Sequence, residues 1–310
     1  EEMGALHRMT VQVRKMSVDA VSAVVKEDEL HPVKNKRPFK PSLLVLHIVV
    51  SIGAILMGLP FIWMLFSAFK PLEEIFTPTP VLLPQSPTMQ NFETAFGTGN
   101  FYTALLNSVY IATLVTAISV LTSAMAAYVF ARMKFRGGGI IFAVFLATMM
   151  VPGQLTVIPL YIIMGWFGWV DTHLALIVPP ALFSAFGVFM LRQYVRGIPL
   201  ELEEAAAIDG AGRIKIFFTM ILPLLRTPMV ALGIFTFLGQ WNNFFTPLIF
   251  LNTSELFTLP LWVNQFKGQY ASDWGGLMAA TSLVALPFLI LFIFAQKQIV
   301  EGIALQGSKT

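Results

Sequence analysis

Long apolar segments recur along the chain after about residue 42 and are separated by shorter polar connectors. A helix needs roughly 20 consecutive apolar residues to cross the hydrocarbon core of a bilayer. Six segments reach that length, at about residues 43–69, 101–130, 140–164, 173–191, 228–251 and 277–294. The pattern therefore predicts an all-α integral membrane protein with six transmembrane helices within residues 42–297.

The third and fourth apolar segments are interrupted by prolines, at Val151-Pro152, Ile158-Pro159 and Pro179-Pro180. Proline inside a membrane helix frees backbone carbonyls, which is tolerated where neighbouring protein or a cavity satisfies them. These positions predict kinked helices, which either line a transport pathway or pack as ordinary kinked helices. Polar and aromatic residues of the spans are candidate pathway-lining groups: Gln154, Asn107, Gln240, Trp241, Asn242 and Asn243.

A polar, alanine-rich stretch between the fourth and fifth apolar segments has the signals of a short helix. Pro199 suits a first turn, and the glutamates that follow it lie where the helix dipole favours negative charge. Three alanines continue the helix, and Asp209-Gly210 predicts its end, because glycine adopts the left-handed conformation at little cost. A second short helix over residues 213–219 leads back to apolar sequence. We therefore predict a helical elbow, which is either a docking knob or only an interfacial helix.

The elbow resembles the EAA loop of ABC importer permeases. Glu204-Ala205-Ala206, Gly210 six positions after Glu204, and Leu222-Pro223 follow the pattern of that loop. Asp209-Gly210-Ala211 is similar to the carbohydrate-uptake branch, whereas Met220 stands where isoleucine or valine is usual. The resemblance implies a cytoplasmic coupling helix between spans four and five. It implies that this helix contacts an ATPase through Glu203, Glu204, Ala205, Ala206, Asp209, Gly210 and Ala211.

The C-terminal segment, residues 298–310, is similar to the C-terminus of the maltose-importer type of permease subunit. That resemblance implies a cytoplasmic tail that contacts the ATPase through Gly302, Gly307 and Lys309. Residues 1–41 fall outside the resemblance. They are expected to form a cytoplasmic tail, either flexible or folded as a weak amphipathic surface helix.

The family resemblance also implies partners. These are a second, homologous permease, an ATPase dimer that binds ATP and Mg²⁺, and an extracytoplasmic solute-binding protein that delivers a sugar or oligosaccharide. The implied location is the cytoplasmic membrane of a prokaryote. A permease for another solute class and a secondary transporter without an ATPase are the alternatives. Ion-coupled transporters usually keep ionisable groups inside their spans, and the six segments hold almost none, which favours ATP-driven transport.

Composition agrees with a membrane protein, since 56% of the residues are hydrophobic and only 12% are charged. The absence of cysteine excludes disulfides, thiolate chemistry and Cys-type zinc sites. The sequence has no phosphate-binding loop, and its four histidines lack metal-ligand spacing. We therefore expect no catalytic site, no metal and no bound cofactor in this chain. Its surroundings are expected to be the lipid bilayer, with no nucleic-acid partner.

Basic residues mark alternate connectors. They cluster before the first span at residues 34–40, between the second and third spans at residues 132–136, and around the elbow at residues 192–226. The other connectors hold little more than Lys70 and Lys267. Because basic connectors stay on the cytoplasmic side, both termini and the elbow are predicted to be cytoplasmic.

Overall fold

The computed structural model describes residues 41–79, 81–268 and 273–307, and the regular elements in these ranges are helices. The predicted all-α class is therefore confirmed for the described part of the chain. The N-terminal tail predicted at residues 1–41 lies outside these ranges apart from its last residue, and so does Lys309.

Three stretches of the described chain are each long and apolar enough to cross a membrane: Leu43–Ser67, Phe101–Arg132 and Leu174–Gly197. Two further pairs of consecutive helices are bent at the junction between them, by 107° and 74°. Each pair reaches the required length and composition only if its two helices are counted as one span. By length and composition the described residues thus provide three to five spans, and a shorter apolar helix covers Trp274–Ile290.

Helix α1 (Pro41–Ser67) is the first apolar span, and Pro60 lies within it. Its described side chains are mostly large, apolar and exposed as far as Leu59, and a helix that is apolar all round belongs in a membrane or a core. The chain divides at this helix into two contact units, residues 1–59 and residues 60–310. All elements described below belong to the second unit.

Two short helices, α2 (Leu72–Ile75) and α3 (Gln90–Gly97), follow within the proline-rich connector. The carboxylate of Glu74 at the end of α2 accepts hydrogen bonds from the backbone N–H groups of Gln85 and Ser86. Because these bonds join distant positions of the connector, the segment is held in one conformation despite its prolines.

Helix α4 (Phe101–Arg132) has 32 residues and is therefore about 48 Å long at the usual rise per residue. Asn100 precedes it in the left-handed conformation, with φ 64°, which asparagine tolerates better than most residues. Small side chains make up most of its buried face and let neighbouring helices approach closely. They are Ala104, Ser108, Ala112, Ser119, Ser123, Ala124 and Ala127.

The third predicted span is broken. Helix α5 (Gly138–Ala147) continues through a 3₁₀ turn (Thr148–Met150), and α6 (Gly153–Trp166) follows at a bend of 107°. The backbone of Val151 is extended, with φ −86° and ψ 118°, because the residue before a proline is pushed out of the helical region. The kink expected within the span at residues 140–164 is thus a sharp turn between two separate helices.

The fourth span consists of α7 (Leu174–Leu182) and α8 (Ala185–Gly197), which together are long enough to cross a membrane. Pro179-Pro180 lie inside α7, which ends two residues later. Ser184 then caps α8, because its hydroxyl accepts a hydrogen bond from the backbone N–H of Gly187 at 3.1 Å. The helical structure continues past residue 191, where the sequence pattern placed its end.

The elbow follows as helix α9 (Leu200–Ile208) and a second helical stretch. That stretch begins as α10 (Arg213–Ile216), passes through one π-helical turn (Phe217–Ile221) and continues as α11 (Leu222–Leu224). It meets α12 (Arg226–Trp241) at a bend of 74°. The predicted short helix at the end of the elbow is therefore longer than expected and turns sharply into the fifth span.

The remainder of the fifth predicted span is interrupted after α12 and resumes as α13 (Phe245–Phe250). The connector beyond it contains a 3₁₀ turn (Ser254–Leu256) and α14 (Leu259–Val263). Helix α15 (Trp274–Gly307) is the last. It continues through the first ten residues of the predicted C-terminal tail, so this part of the tail extends the sixth apolar helix.

Helix α4 borders all three clusters of buried apolar side chains. Its C-terminal half packs with α8, α12 and the π-helical turn. Its middle packs with α6, α7 and α13, and its beginning packs with α14 and α15. The core of residues 60–310 is therefore organised around one helix, with the elbow at one end and the connector after α13 at the other.

Candidate functional site

The elbow helix α9 is bounded by the residues that the sequence indicated. Pro199 lies immediately before its first turn, and Gly210 follows its end with a φ of 81°. The N–H of Gly210 donates to the carbonyl of Ala207 at 3.0 Å, and the N–H of Ala211 donates to the carbonyl of Ala206 at 2.9 Å. This is a Schellman cap, which requires a left-handed residue at the glycine position.

The seven predicted coupling residues lie on two faces of the elbow. The outer face carries Glu204, Ala205, Asp209 and Gly210, all of which are exposed. Ala206 and Ala211 are half-buried against the core, and Glu203 is only 8% exposed. The structure therefore leaves four of the seven residues accessible to another protein and turns the other three inward.

Large apolar side chains extend the outer face, and the sequence analysis missed them. Ile208 is 86% exposed and Ile214 is 77% exposed, and Leu200 is also exposed. Exposed apolar clusters of this kind mark protein or membrane contact sites. The signal was present in the sequence, because Ile208 directly precedes Asp209-Gly210 at the tip of the elbow.

Glu203 forms a buried ion pair. The Nε of Arg132, in the last turn of α4, donates to its Oε1 at 2.5 Å, and the two side chains are 13% and 10% exposed. The Nη2 of Arg132 donates to the carbonyl of Ile198 at 2.6 Å, and the hydroxyl of Tyr128 donates to the second oxygen of Glu203 at 3.3 Å. Sequence analysis used Arg132 only as an orientation signal, since nothing local links positions 132 and 203.

The second half of the elbow is fixed to the core by large side chains. Phe217, Ile221 and Leu225 are buried, and the rings of Phe217 and Tyr128 have centroids 5.4 Å apart. Because the core contacts come from both halves, the elbow is packed onto α4 and cannot hinge independently as a loose loop.

A cavity of about 590 Å³ lies where α6, α7, α12 and α13 are interrupted or bent. Gln154, Gln240 and Asn243 line it, so the structure brings together three of the six candidate pathway residues. Thr156 and Thr246 add hydroxyls, and the remaining walls include prolines and phenylalanines. The cavity thus combines amide and hydroxyl groups with apolar ring surfaces.

The other three candidate pathway residues lie elsewhere. The amide of Asn107 donates to the carbonyls of Glu255 and Phe257, at 2.9 and 3.0 Å. Trp241 is buried in the core, with its ring stacked on Phe237. Asn242 lines a separate cavity of about 270 Å³ and donates within its own helix. Asn107 and Trp241 therefore hold the structure together and do not line the main cavity.

Polar contacts also fix the connector after α13. The carboxylate of Asp171 accepts hydrogen bonds from the backbone N–H groups of Asn252 and Thr253, and from the Thr253 hydroxyl at 2.6 Å. The Thr253 hydroxyl, followed by the two N–H groups, lowers the pKa of Asp171. The Nε2 of His173 lies 2.8 Å from the Leu256 carbonyl oxygen, so this side chain also contacts the connector.

The predicted C-terminal contact residues Gly302 and Gly307 lie in the last turns of α15. Lys309 lies outside the described residues. Their contact with an ATPase stays a prediction. The described residues contain no group of three or more histidine, aspartate or glutamate side chains arranged to hold a metal ion.

Comparison with known protein families extends this description. A family model described as "Binding-protein-dependent transport system inner membrane component" matches residues 119–304, which is more than half of the chain. The chain belongs to this family of ABC transporter permeases. The match includes the elbow, the cavity residues Gln154, Gln240 and Asn243, and the cap at Gly210.

Individual relatives agree. This permease is 33% identical over 261 residues to the diacetylchitobiose uptake system permease protein DasC of Streptomyces coelicolor, covering 83% of this chain and 92% of that protein. It is 33% identical over 253 residues to the arabinooligosaccharides transport system permease protein AraQ of Halalkalibacterium halodurans, covering 81% and 90%. The similarity thus extends over nearly the whole length of both relatives.

The fold is similar to that of a chain in a crystal structure of a bacterial ABC transporter that imports the acidic polysaccharide alginate. The TM-score is 0.74 at 18% sequence identity, and the match covers 84% of this chain and 99% of that chain. At this identity the likeness concerns the fold alone. It shows that the described fold occurs in a chain of an ABC transporter of known structure.

Family membership makes this chain a non-catalytic, multi-pass membrane subunit of an ABC importer. ATP hydrolysis belongs to a separate ATPase subunit in such transporters. This agrees with the absence of a phosphate-binding loop from the sequence.

Proposed function

We propose that this permease forms, with a second homologous permease, the transmembrane pathway for a sugar or oligosaccharide delivered by a solute-binding protein. An ATPase dimer with bound ATP and Mg²⁺ drives the cycle by moving the elbow. The observation that carries the proposal is the elbow itself, whose outer face is exposed and partly apolar while its inner face is tied to the core by a buried ion pair.

Six membrane crossings fit the described helices. Three apolar spans, two bent pairs and the apolar part of α15 supply one crossing each. The basic connectors before α1, after α4 and around α9 support an orientation in which the elbow and both termini are cytoplasmic. This orientation puts Asp171 and the connector after α13 on the outer side.

The coupling contact uses the outer face of the elbow. Glu204 and Asp209 supply polar contacts, Ala205 permits close approach, and Ile208 fits an apolar pocket on the ATPase. The rigid Schellman cap at Gly210 fixes the angle between the two halves of the elbow. Closure of the ATPase dimer then displaces α9 as a rigid body together with α8 and α12, to which it is joined in the chain.

The solute class follows from the relatives and the cavity. DasC and AraQ are transport proteins for diacetylchitobiose and arabinooligosaccharides. Amide side chains such as Gln154 and Gln240 can donate to and accept from sugar hydroxyls, and phenylalanine faces suit the apolar faces of sugar rings. The cavity is only partly enclosed by this chain, and the second permease would complete its wall.

The test is purification of the permease from native membranes in mild detergent, followed by mass spectrometry of the proteins that accompany it. Glu204→Lys is compared with Glu255→Lys, a matched charge reversal at an exposed residue of the connector after α13. We expect a second permease and an ATPase with the wild type and with Glu255→Lys, and a weakened ATPase with Glu204→Lys. Recovery of the wild-type chain alone, folded and at normal yield, would overturn the proposal.

A further inference from the structure

Both ends of α4 are tied by side-chain hydrogen bonds to segments far away in the sequence. Arg132 and Tyr128 bind the elbow at one end, and Asn107 and Ser108 bind the connector after α13 at the other. The helix is about 48 Å long, and the two sets of contacts lie near its opposite ends, which the proposed orientation assigns to opposite sides of the membrane. Among the described helices only α15 (Trp274–Gly307) is longer than α4.

The contacts at the elbow end fix both position and rotation. The Arg132 guanidinium donates to the carbonyl of Ile198, which ends α8, and to the carboxylate of Glu203, in the first turn of α9. A planar guanidinium with two acceptors on two different elements resists sliding and twisting of either element. Tyr128, one helical turn before Arg132, holds the second carboxylate oxygen of Glu203.

The contacts at the opposite end hold a short segment, residues 255–259. The two amide hydrogens of Asn107 are used by the carbonyls of Glu255 and Phe257. The buried hydroxyl of Ser108 accepts a hydrogen bond from the N–H of Leu259 at 2.7 Å. This segment is therefore attached to the first two turns of α4 by three hydrogen bonds that involve its backbone.

A buried ion pair is a weak source of stability, because desolvation of the charges offsets most of their attraction. Apolar side chains would pack the same space between α4 and α9 at least as favourably. The guanidinium of Arg132, which donates to both Ile198 and Glu203, instead specifies one orientation of α9 on α4. The ion pair therefore serves positioning more than stability.

We propose that α4 transmits the displacement of the elbow to residues 255–259 on the opposite side of the membrane. Arg132 and Glu203 are positioning residues at the elbow end, and Asn107 is the positioning residue at the other end. The inference rests on the proposed function, since it requires that an ATPase moves the elbow. It adds α4 to the two helices, α8 and α12, that are joined to the elbow through the chain.

Such a link works in both directions, because the coupling between two sites is reciprocal. A solute-binding protein that displaces the connector after α13, and residues 255–259 with it, shifts the elbow, and thereby the ATPase, toward the conformation that hydrolyses ATP. Stimulation of ATP hydrolysis by the loaded binding protein is therefore the quantity that depends on α4.

The experiment uses the complete transporter in lipid vesicles, with ATP hydrolysis measured with and without loaded binding protein and divided by the amount of ATPase recovered. Arg132→Lys keeps the charge but cannot donate from one planar group to both Ile198 and Glu203. The double variant Arg132→Met with Glu203→Leu keeps the packing without the ion pair. We expect stimulation to fall about fivefold or more in both. Wild-type stimulation in the apolar double variant would overturn the proposal.

A crosslink tests the positioning role directly, because the chain contains no native cysteine. In Arg132→Cys with Glu203→Cys, stimulation should be low, return with a short bis-methanethiosulfonate crosslinker, and fall again after reduction. Asn107→Leu should lower stimulation in the same way from the opposite end. If the crosslink forms without restoring stimulation, the α4 link is wrong. If instead the wild-type chain recovers no ATPase, the proposed function itself fails.

Discussion

Arg132 and Glu203 are 71 positions apart in the sequence, yet the Nε of Arg132 donates to the Oε1 of Glu203 at 2.5 Å with both side chains largely buried. The pair joins the end of the central helix α4 to the first turn of the elbow. The elbow thus has an inner face packed on the permease core and an outer face that is exposed.

A side chain added at Gly210 should disturb the cap of the elbow, whereas a side chain added at Gly212 should not. Gly210 has a φ of 81°, and an added Cβ would meet no atom within 4 Å, so Gly210→Val is strained only through its backbone. The left-handed conformation costs an ordinary residue roughly 1–2 kcal/mol. We expect normal membrane insertion but impaired sugar uptake in vesicles.

Gly212→Val is the matched control for the cap. Its added Cβ also meets no atom within 4 Å, and Gly212 has an ordinary φ of −70°. Uptake should therefore stay near the wild-type rate. Equal uptake by both variants would show that the cap geometry is unimportant for coupling.

The exposed tip of the elbow should contribute binding energy. Ile208 is 86% exposed, so Ile208→Ser should leave the thermal unfolding temperature of the isolated permease unchanged. Burial of an isoleucine side chain is worth about 1.5–3 kcal/mol, and affinity for the ATPase should fall roughly tenfold or more. Leu83→Ser, at an exposed leucine of the connector before α3, should leave it unaltered. Equal ATPase affinities for both variants would remove Ile208 from the interface.

The cavity should contribute to recognition of the sugar. Gln154 lines it, is exposed, and makes no hydrogen bond among those described. In Gln154→Leu the proposed hydrogen bond between this side chain and the sugar is lost. Because such a bond is worth about 1 kcal/mol, the apparent KM of uptake should rise about fivefold. Gln265→Leu makes the same change at an exposed site outside the cavity and should have no effect. A normal KM in Gln154→Leu would place the pathway elsewhere.

Asp171 makes the stability of the outer connector depend on pH. The Thr253 hydroxyl and the N–H groups of Thr253 and Asn252 lower its pKa in the folded state. A lowered folded-state pKa contributes stability above the unfolded pKa of about 3.9, and this is lost as the pH falls through the folded pKa. Asparagine tolerates the positive φ of 56° at position 171, so Asp171→Asn is a suitable variant for removing the charge.

The unfolding temperature of Asp171→Asn in detergent should therefore lie below that of the wild type at neutral pH. The two temperatures should converge as the pH falls through the lowered folded-state pKa of Asp171, because the wild-type carboxylate then becomes protonated. Glu255→Gln, at a nearby exposed carboxylate, should show no such convergence. A constant difference across the pH range would mean that the charge of Asp171 is irrelevant to stability.

Local signals in the sequence predicted the features that depend on local chemistry. Pro199 and Gly210 bound the elbow helix because proline and glycine act within one turn of the backbone. The break at Val151 was predicted as a kink because proline restricts the residue before it. The angle of 107° could not be predicted, since it is set by the packing of both helices.

Contacts between distant segments were beyond sequence analysis. Glu203 was assigned to the ATPase together with Glu204 because the two are adjacent in the motif. In a helix, however, adjacent residues point about 100° apart, and only the position of Arg132 in the fold decides which one faces inward. The sequence alone could not decide the roles of Asn107 and Trp241 for the same reason, since a polar or aromatic residue in a span serves either packing or a pathway.

The most direct test of the central claim is photo-crosslinking from single cysteines along the elbow in the assembled transporter. The chain has no native cysteine, so a benzophenone maleimide attached at Ala205→Cys or Ile208→Cys reports only that position. Both should crosslink to the ATPase, whereas Glu255→Cys should not. Crosslinks to the ATPase from position 255, or none from positions 205 and 208, would contradict the account.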